Sequence, residues 1–403
     1  MDIGYSMSSG RKTVIRSLRA AGVAAVCVGL LSGCGRLRHH EGSHKYVFVI
    51  AKQYYLVDRV AAVSNRTGEV TNGEKLTVLE FARKFVKVQT PDGKIGWIKE
   101  DKVASEDLAG KFAALKEQHG NDSAVAQAVV HDEAYLHIAP GRETDRFFLM
   151  SEGDKVTLLA RASVLKPLPP GAALAQAKPA ETKGAEPAAP PPPPMEDWWL
   201  VRTSKGDLGW IYSHLIDVDV PDALGRYAEG ARYVGAYVLN KVDDPDSGMV
   251  DGGNPVTSIP QYLAVLSPYK AGLPYDFDQV RVFTWNVKKH RYETAFRQKN
   301  IAGYLPVTMS LQKDPYGKNP DAQTPMPAFT IKVLAGGQAL PVPDATTGEI
   351  KPGALVTKTY RLEGNIIRRI IAPGTQPPDE AHPDPEIEKK DKAAKAARGR
   401  KRR

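Results

Sequence analysis

Cysteine is nearly absent from this chain: its 403 residues hold two, Cys27 and Cys34, both close to the N-terminus. That excludes a disulfide framework for the rest of the protein and any cysteine nucleophile there. The apolar run Ala20–Leu31 spans 12 residues, well short of the roughly 20 that a membrane-spanning helix needs. No Gly-x-Ser-x-Gly elbow occurs, so the strand-to-helix serine site of many hydrolases is missing. The histidines from His39 onward are read as scattered, without the clustered ligands of a zinc hydrolase, and His39 and His40 as solvated linker residues. No metal or cofactor is expected. The segment Asp243–Asp251 is rich in acidic residues, but its spacing does not fit a calcium loop and it reads as a solvated turn.

Excess positive charge is also missing where a nucleic-acid face would need it. The net charge of +9 is carried by two ends, +3 in residues 1–33 and +6 in Glu386–Arg403, which leaves residues 34–385 neutral. Nucleic acid is therefore not an expected partner.

What is present begins with an export leader. Arg11, Lys12, Arg16 and Arg19 precede the apolar run, and the small residues Ser32 and Gly33 follow it, just before Cys34. The quartet Leu31-Ser32-Gly33-Cys34 resembles a lipobox, the lipoprotein signature. The resemblance implies cleavage before Cys34, lipid on that cysteine and a membrane partner through the anchor. Gly35 is not the aspartate that resembles an inner-membrane retention signal, so the outer membrane is the expected location in a cell that has one. With Cys27 removed in the leader, the mature chain would keep no free thiol.

Two blocks of the sequence are copies. Asn72-Gly73-Glu74-Lys75-Leu76-Thr77-Val78-Leu79, then Phe85-Val86-Lys87-Val88, then Asp92-Gly93-Lys94-Ile95-Gly96-Trp97-Ile98 form the first. Glu152-Gly153-Asp154-Lys155-Val156-Thr157-Leu158-Leu159, then Trp199-Leu200-Val201-Arg202, then Lys205-Gly206-Asp207-Leu208-Gly209-Trp210-Ile211 form the second. Short alternating strands separated by glycine turns indicate small β-barrels, and Asp92-Gly93 signals a two-residue hairpin. These motifs resemble tandem bacterial SH3 domains, with Gly-Trp-Ile (Gly96, Trp97; Gly209, Trp210) the most specific element. Tyr135–Gly141 is similar to the family's first strand and loop. The resemblance implies domains at 46–105 and 125–220.

The copies differ in length. Gly73 to Trp97 is 24 positions and Gly153 to Trp210 is 57, a difference of 33. An Ala/Pro-rich insertion at about 162–197, including Pro190–Pro194, accounts for it and reads as a disordered hairpin extension. Between the copies (106–124), Ser105 is placed to cap a helix with Leu108, Phe112 and Leu115 on one face and Gly120 at its end. From residue 225 to 373 the pattern is of longer strands: Ala231–Val238, Gln279–Trp285, Arg291–Arg297, Ala302–Val307, Phe329–Leu334, Val356–Leu362 and Ile366–Ile371. The hairpin from Gln279 to Arg297 is expected to pack one face and solvate the other. Residues 34–45 are read as a linker and 374–403 as a disordered basic tail able to touch anionic polymer or lipid. The fold class is all-β.

Exposed aromatics beside arginines are the candidate ligand-binding residues: Tyr54, Tyr55, Arg142, Trp198, Trp199 and Arg202. Trp198 and Trp199 are adjacent, so alternation turns one outward, whereas Trp97 and Trp210 are expected to close the barrel cores. The functional expectation is a non-catalytic envelope lipoprotein whose barrels bind peptidoglycan or an envelope protein. A protein-interaction scaffold comes second, and a cell-wall hydrolase with a carboxylate pair in the C-terminal domain third.

Overall fold

The structure, a computed structural model, describes residues 45–167, 193–251, 253–318, 320–384 and 386–387. The leader, Cys34, most of the Ala/Pro insertion and the basic end lie outside these residues.

Seven strands form the first sheet: β1 Tyr46–Val49, β2 Gln53–Val57, β3 Arg66–Thr71, β4 Lys75–Ala82, β5 Phe85–Gln89, β6 Ile95–Lys99 and β7 Val103–Ser105, in the order β3-β2-β6-β5-β4-β1-β7. Alternation puts Val47, Val49, Leu56, Val70, Leu76, Val86, Val88 and Ile98 on its inner face, where all are buried. One sheet that encloses its own core is a small barrel, and each such side chain contributes about 1.5–3 kcal/mol by leaving water. The β5–β6 connection departs from the two-residue expectation. Thr90 N donates to Lys94 O at 2.9 Å, so Pro91, Asp92 and Gly93 form the loop, with Gly93 at φ +87°. A three-residue loop ending in a left-handed glycine suits this geometry.

The helix α1, Glu106–His119, starts where Ser105 Oγ accepts from Leu108 N at 3.3 Å. Its Phe112 is buried with Phe147 and Phe148 at ring distances of 5.5 Å, while Phe48 meets Phe147 at 5.7 Å. This aromatic cluster ties the helix to both neighbouring sheets. The second sheet holds β8 Ala126–Val130, β9 Ala134–His137, β10 Arg146–Met150, β11 Lys155–Leu165, β12 Met195–Thr203, β13 Leu208–Tyr212 and β14 Ile216–Val218. Its order, β10-β9-β13-β12-β11-β8-β14, repeats that of the first strand for strand.

The hairpin β11–β12 corrects the reading of 162–197 as wholly disordered. Pairing continues from Ala162↔Trp198 to Leu165↔Met195, so only the distal part of the insertion lies outside the described residues. The added length is buried because it docks on the region that follows. Ser163 N donates to Gly348 O at 2.8 Å, and Glu196 and Asp197 are almost fully buried.

That region begins with a short α2, Asp222–Gly225, followed by β15 Ala231–Asp243, the small hairpin β16 Val250–Asp251 and β17 Asn254–Pro255, then β18 Ser258–Pro268, β19 Gln279–Asn286 and β20 Arg291–Gln298. The strands β21 Gly303–Gln312, β22 Met326–Leu334, β23 Leu355–Glu363 and β24 Ile366–Arg369 complete it. Two four-stranded antiparallel sheets, β15-β18-β19-β20 and β21-β22-β23-β24, pack through Leu263, Val265, Val282, Phe329, Ile331 and Leu362. This core is continuous with that of the second barrel. The outer face of the first sheet is also covered, by Leu224 and Tyr227 lying over Phe283, Trp285 and Tyr292. β19 is therefore buried on both faces, contrary to the half-solvated hairpin expected. The tail is another correction. Before the basic end, Ala381 N donates to Leu334 O at 2.9 Å and Glu380 pairs with buried Lys358 at 2.6 Å, so this segment belongs to the sandwich.

Candidate functional site

Rings from separate strands of the second barrel stack against one another, with Trp198 buried beneath the others. β12 carries Trp198 opposite Tyr212 of β13, and their ring centroids are 5.6 Å apart. His137 at the end of β9 lies 5.0 Å from Trp198, and Tyr212 stands 5.0 Å from His214. Arg142, from the β9–β10 loop, sits 4.9 Å above the Tyr212 ring. Its Nε donates to Glu196 Oε2 at 3.0 Å, and its terminal nitrogen lies 2.8 Å from Glu196 Oε1. A charge-assisted hydrogen bond and an ion pair to this buried carboxylate hold the guanidinium over the ring. Burial holds the His137 ring below its ordinary pKa, against its hydrogen bond to the Thr144 carbonyl and with Arg146 adding to the effect.

His214 leads from this ladder into a cavity of about 380 Å³ between the barrel and the sandwich, also lined by His131, Arg232, Tyr233 and Tyr269. Behind it lies a buried ionic junction. Asp197 Oδ1 accepts from Ser163 Oγ at 2.6 Å and Gly272 N at 2.9 Å, and its Oδ2 accepts from Arg232 at 3.0 Å. Arg161 lies 3.5 Å from Asp197 and 3.0 Å from Asp276, and also donates to Leu273 O and Tyr275 O. Burial would raise the Asp197 pKa, but Arg161, the Gly272 amide, Ser163 and Arg232 outweigh it and the carboxyl stays below its usual range. The junction fixes the cavity walls.

Of the six candidate binding residues, the structure brings Arg142 and Trp198 together. Trp198 does not turn outward: both tryptophans are buried, Trp199 in the continuous core and Trp198 under His137 and Tyr212. Alternation fails as a guide because β12 is covered on both faces. Arg202 is elsewhere, donating to Asp122 O at 2.9 Å beyond the end of α1. Tyr54 packs against the first core, and Tyr55 lies under Arg66 at 3.9 Å. The second barrel repeats that pair as Arg146 over Tyr135 at 4.6 Å, a likeness the sequence reading missed. Trp97 and Trp210 are half-buried on the outer face, and their neighbours Ile98 and Ile211 fill the cores instead. The glycines before them are required by space: a Cβ on Gly96 would lie 2.7 Å from Leu56 Cβ, and one on Gly209 2.6 Å from Leu136 Cβ.

Among the described residues no group of three or more His, Cys, Asp or Glu side chains is placed to hold a metal. The reading of the histidines as scattered needs one correction, because His40-Glu41-Gly42-Ser43-His44 carries the His-Glu-x-x-His spacing. These positions lie outside the described residues. Asp244 is not a solvated loop residue either, being buried against Trp285 and His290.

A bacterial SH3 domain family matches residues 59–104, most of the first barrel. No curated protein matches the chain. Similar solved structures include an NlpC/P60 family protein from Bacillus cereus ATCC 10987, at 12% identity over 63% of this chain and 99% of that one, with a TM-score of 0.21. NlpC2 from Trichomonas vaginalis is similar at 10% identity over 63% and 97%, TM-score 0.14, and NlpC1 from the same organism at 9% over 63% and 87%, TM-score 0.14. NlpC/P60 proteins are a cell-wall hydrolase family, so the expectation of a non-enzyme is withdrawn. Likeness this distant assigns no activity to this chain.

Proposed function

We propose that the chain is a cell-envelope lipoprotein that recognises peptidoglycan through its barrels. The bacterial SH3 match over 59–104 carries this reading, since a domain of that family suggests cell-wall binding. The second barrel, with the same strand order, is read as a further SH3-like domain. Its ladder supplies what a glycan bearing acidic peptides calls for: ring faces beside a guanidinium fixed by Glu196. Export and lipid at Cys34 would hold the protein at a membrane surface, with the outer membrane favoured by Gly35.

Co-sedimentation of the full-length protein with purified peptidoglycan tests the reading. Retention in the pellet is expected; protein left wholly in the supernatant would overturn it. Soluble fragments released in the same assay would report hydrolysis. For the anchor, Cys34→Ala is expected to turn a detergent-extracted protein into a freely soluble one, and persistent membrane attachment would refute lipid at that residue.

A further inference from the structure

A second cleft lies far along the chain from the ladder, on the outer face of the sandwich. It measures about 420 Å³ and is lined by residues of the α2 segment, including Arg226 and Tyr227, and of the β19–β20 hairpin, including His290, Arg291 and Glu293. That volume lies within the roughly 300–1,000 Å³ of small-molecule sites. The hairpin turn holds His290 in the left-handed region at φ +47°, a conformation that costs a non-glycine residue energy and gathers at ligand sites. A buried carboxylate keeps the ring there. Asp244 Oδ2 accepts from Trp285 Nε1 at 2.7 Å and from His290 Nδ1 at 2.8 Å. The Trp285 N–H, with the His290 ring and against burial, holds the Asp244 carboxyl below its ordinary pKa, so it accepts as an anion. The proton of neutral His290 therefore sits on Nδ1, which leaves Nε2 as the free nitrogen.

The charges around that nitrogen favour an acid. Arg226 is exposed and has no ion-pair partner among the described residues. Arg291 is mostly exposed and touches Glu293 at 3.3 Å, but Glu293 also accepts from Asn286 and Lys289, both at 2.9 Å. Glu293 and the Asp244 anion behind His290 thus face three cations, Lys289, Arg226 and Arg291, and one cation stays in excess around the cleft.

We propose that this cleft is a binding site for a small acidic ligand of about sugar size, whose carboxylate or phosphate is held by Arg226 and Arg291 while one of its hydroxyls donates to Nε2 of His290. The site is independent of the barrels. Titration calorimetry on the full-length protein tests it with four probes: N-acetylmuramic acid, glucose 6-phosphate, and the neutral N-acetylglucosamine and glucose. At least one acidic probe is expected to bind tenfold or more tightly than its neutral counterpart, and which one does so tells a carboxylate from a phosphate source. The double variant Arg226→Gln/Arg291→Gln, at two exposed positions, is expected to lose that binding tenfold or more. In nitrogen-15 spectra the bound acid is expected to move the Nε2 resonance of His290, and His290→Gln to weaken binding several-fold. Absence of binding by both acids, equal binding of acidic and neutral probes, or full binding by the double arginine variant would each overturn the proposal. Loss of peptidoglycan retention by the barrels would leave these results unchanged, so the two readings fail separately.

Discussion

Replacing Asp197 with asparagine keeps the shape of the junction between barrel and sandwich but removes its central charge. Two guanidiniums meet there: Arg161, 3% exposed, and Arg232, 20% exposed, with Asp197 itself at 0%. Removing one member of such a buried set costs about 3–5 kcal/mol, because the remaining charge is stranded out of water. Asp276 still faces Arg161 at 3.0 Å and Arg232 retains some solvent, so the lower end, about 3 kcal/mol, is expected. At 1.4 kcal/mol per decade, that is roughly a hundredfold increase in opening of the junction. Urea unfolding followed by tryptophan fluorescence, with hydrogen exchange at the amides of residues 161–163 and 272–276, reads it. A loss below about 1 kcal/mol, with unchanged exchange, would refute the view that this network joins the two parts. The pH dependence has a definite sign. Because the folded pKa of Asp197 lies below its unfolded value, its contribution is present above about pH 4 and is lost as pH falls further. Asp197→Asn is expected to lack that component of acid unfolding.

Two further changes probe the packing. Gly209→Ala would drive its Cβ to within 2.6 Å of Leu136 Cβ and 3.3 Å of Phe112, and is expected to cost about 1–3 kcal/mol by overpacking, measured by calorimetry; a neutral result would show that the Gly-Trp-Ile motif is not set by space. Glu380→Ala would leave Lys358, 1% exposed in its side chain, without its carboxylate, at a cost of about 1–3 kcal/mol. Burial already lowers the Lys358 pKa despite Glu380, and the variant lowers it further. The unfolded chain then binds the extra proton, so the loss should shrink as alkaline pH rises, and a loss independent of pH would refute the burial argument.

Alternation made the strands of the first barrel and most strands of the sandwich legible in the sequence, because each has one apolar face or a compact apolar run. It failed where both faces are covered. β18, Ser258–Pro268, was missed because its buried run Leu263–Leu266 lacks a period of two and prolines stand at Pro260 and Pro268. The same covering hid Trp198 and Trp199, and made the acidic start of β12 look like part of a solvated insertion. The sites were harder still. His137, Trp198, Tyr212 and His214 come together only through the pairing of β9, β12 and β13, and Asp244 reaches His290 across 46 positions. Arg142 was readable as a charged loop residue beside aromatic strands, but its grip on Glu196 was not.

The most direct measurement of the account is peptidoglycan binding by the ladder itself. Wild-type protein and Tyr212→Ala are compared in the co-sedimentation assay across a range of peptidoglycan concentrations, with thermal unfolding to establish that both are folded. Retention of the wild type and at least about fivefold weaker binding by the variant are expected, the loss of about 1 kcal/mol typical of an aromatic anchor. Wild-type protein that stays in the supernatant, or a folded variant that binds equally well, would contradict it.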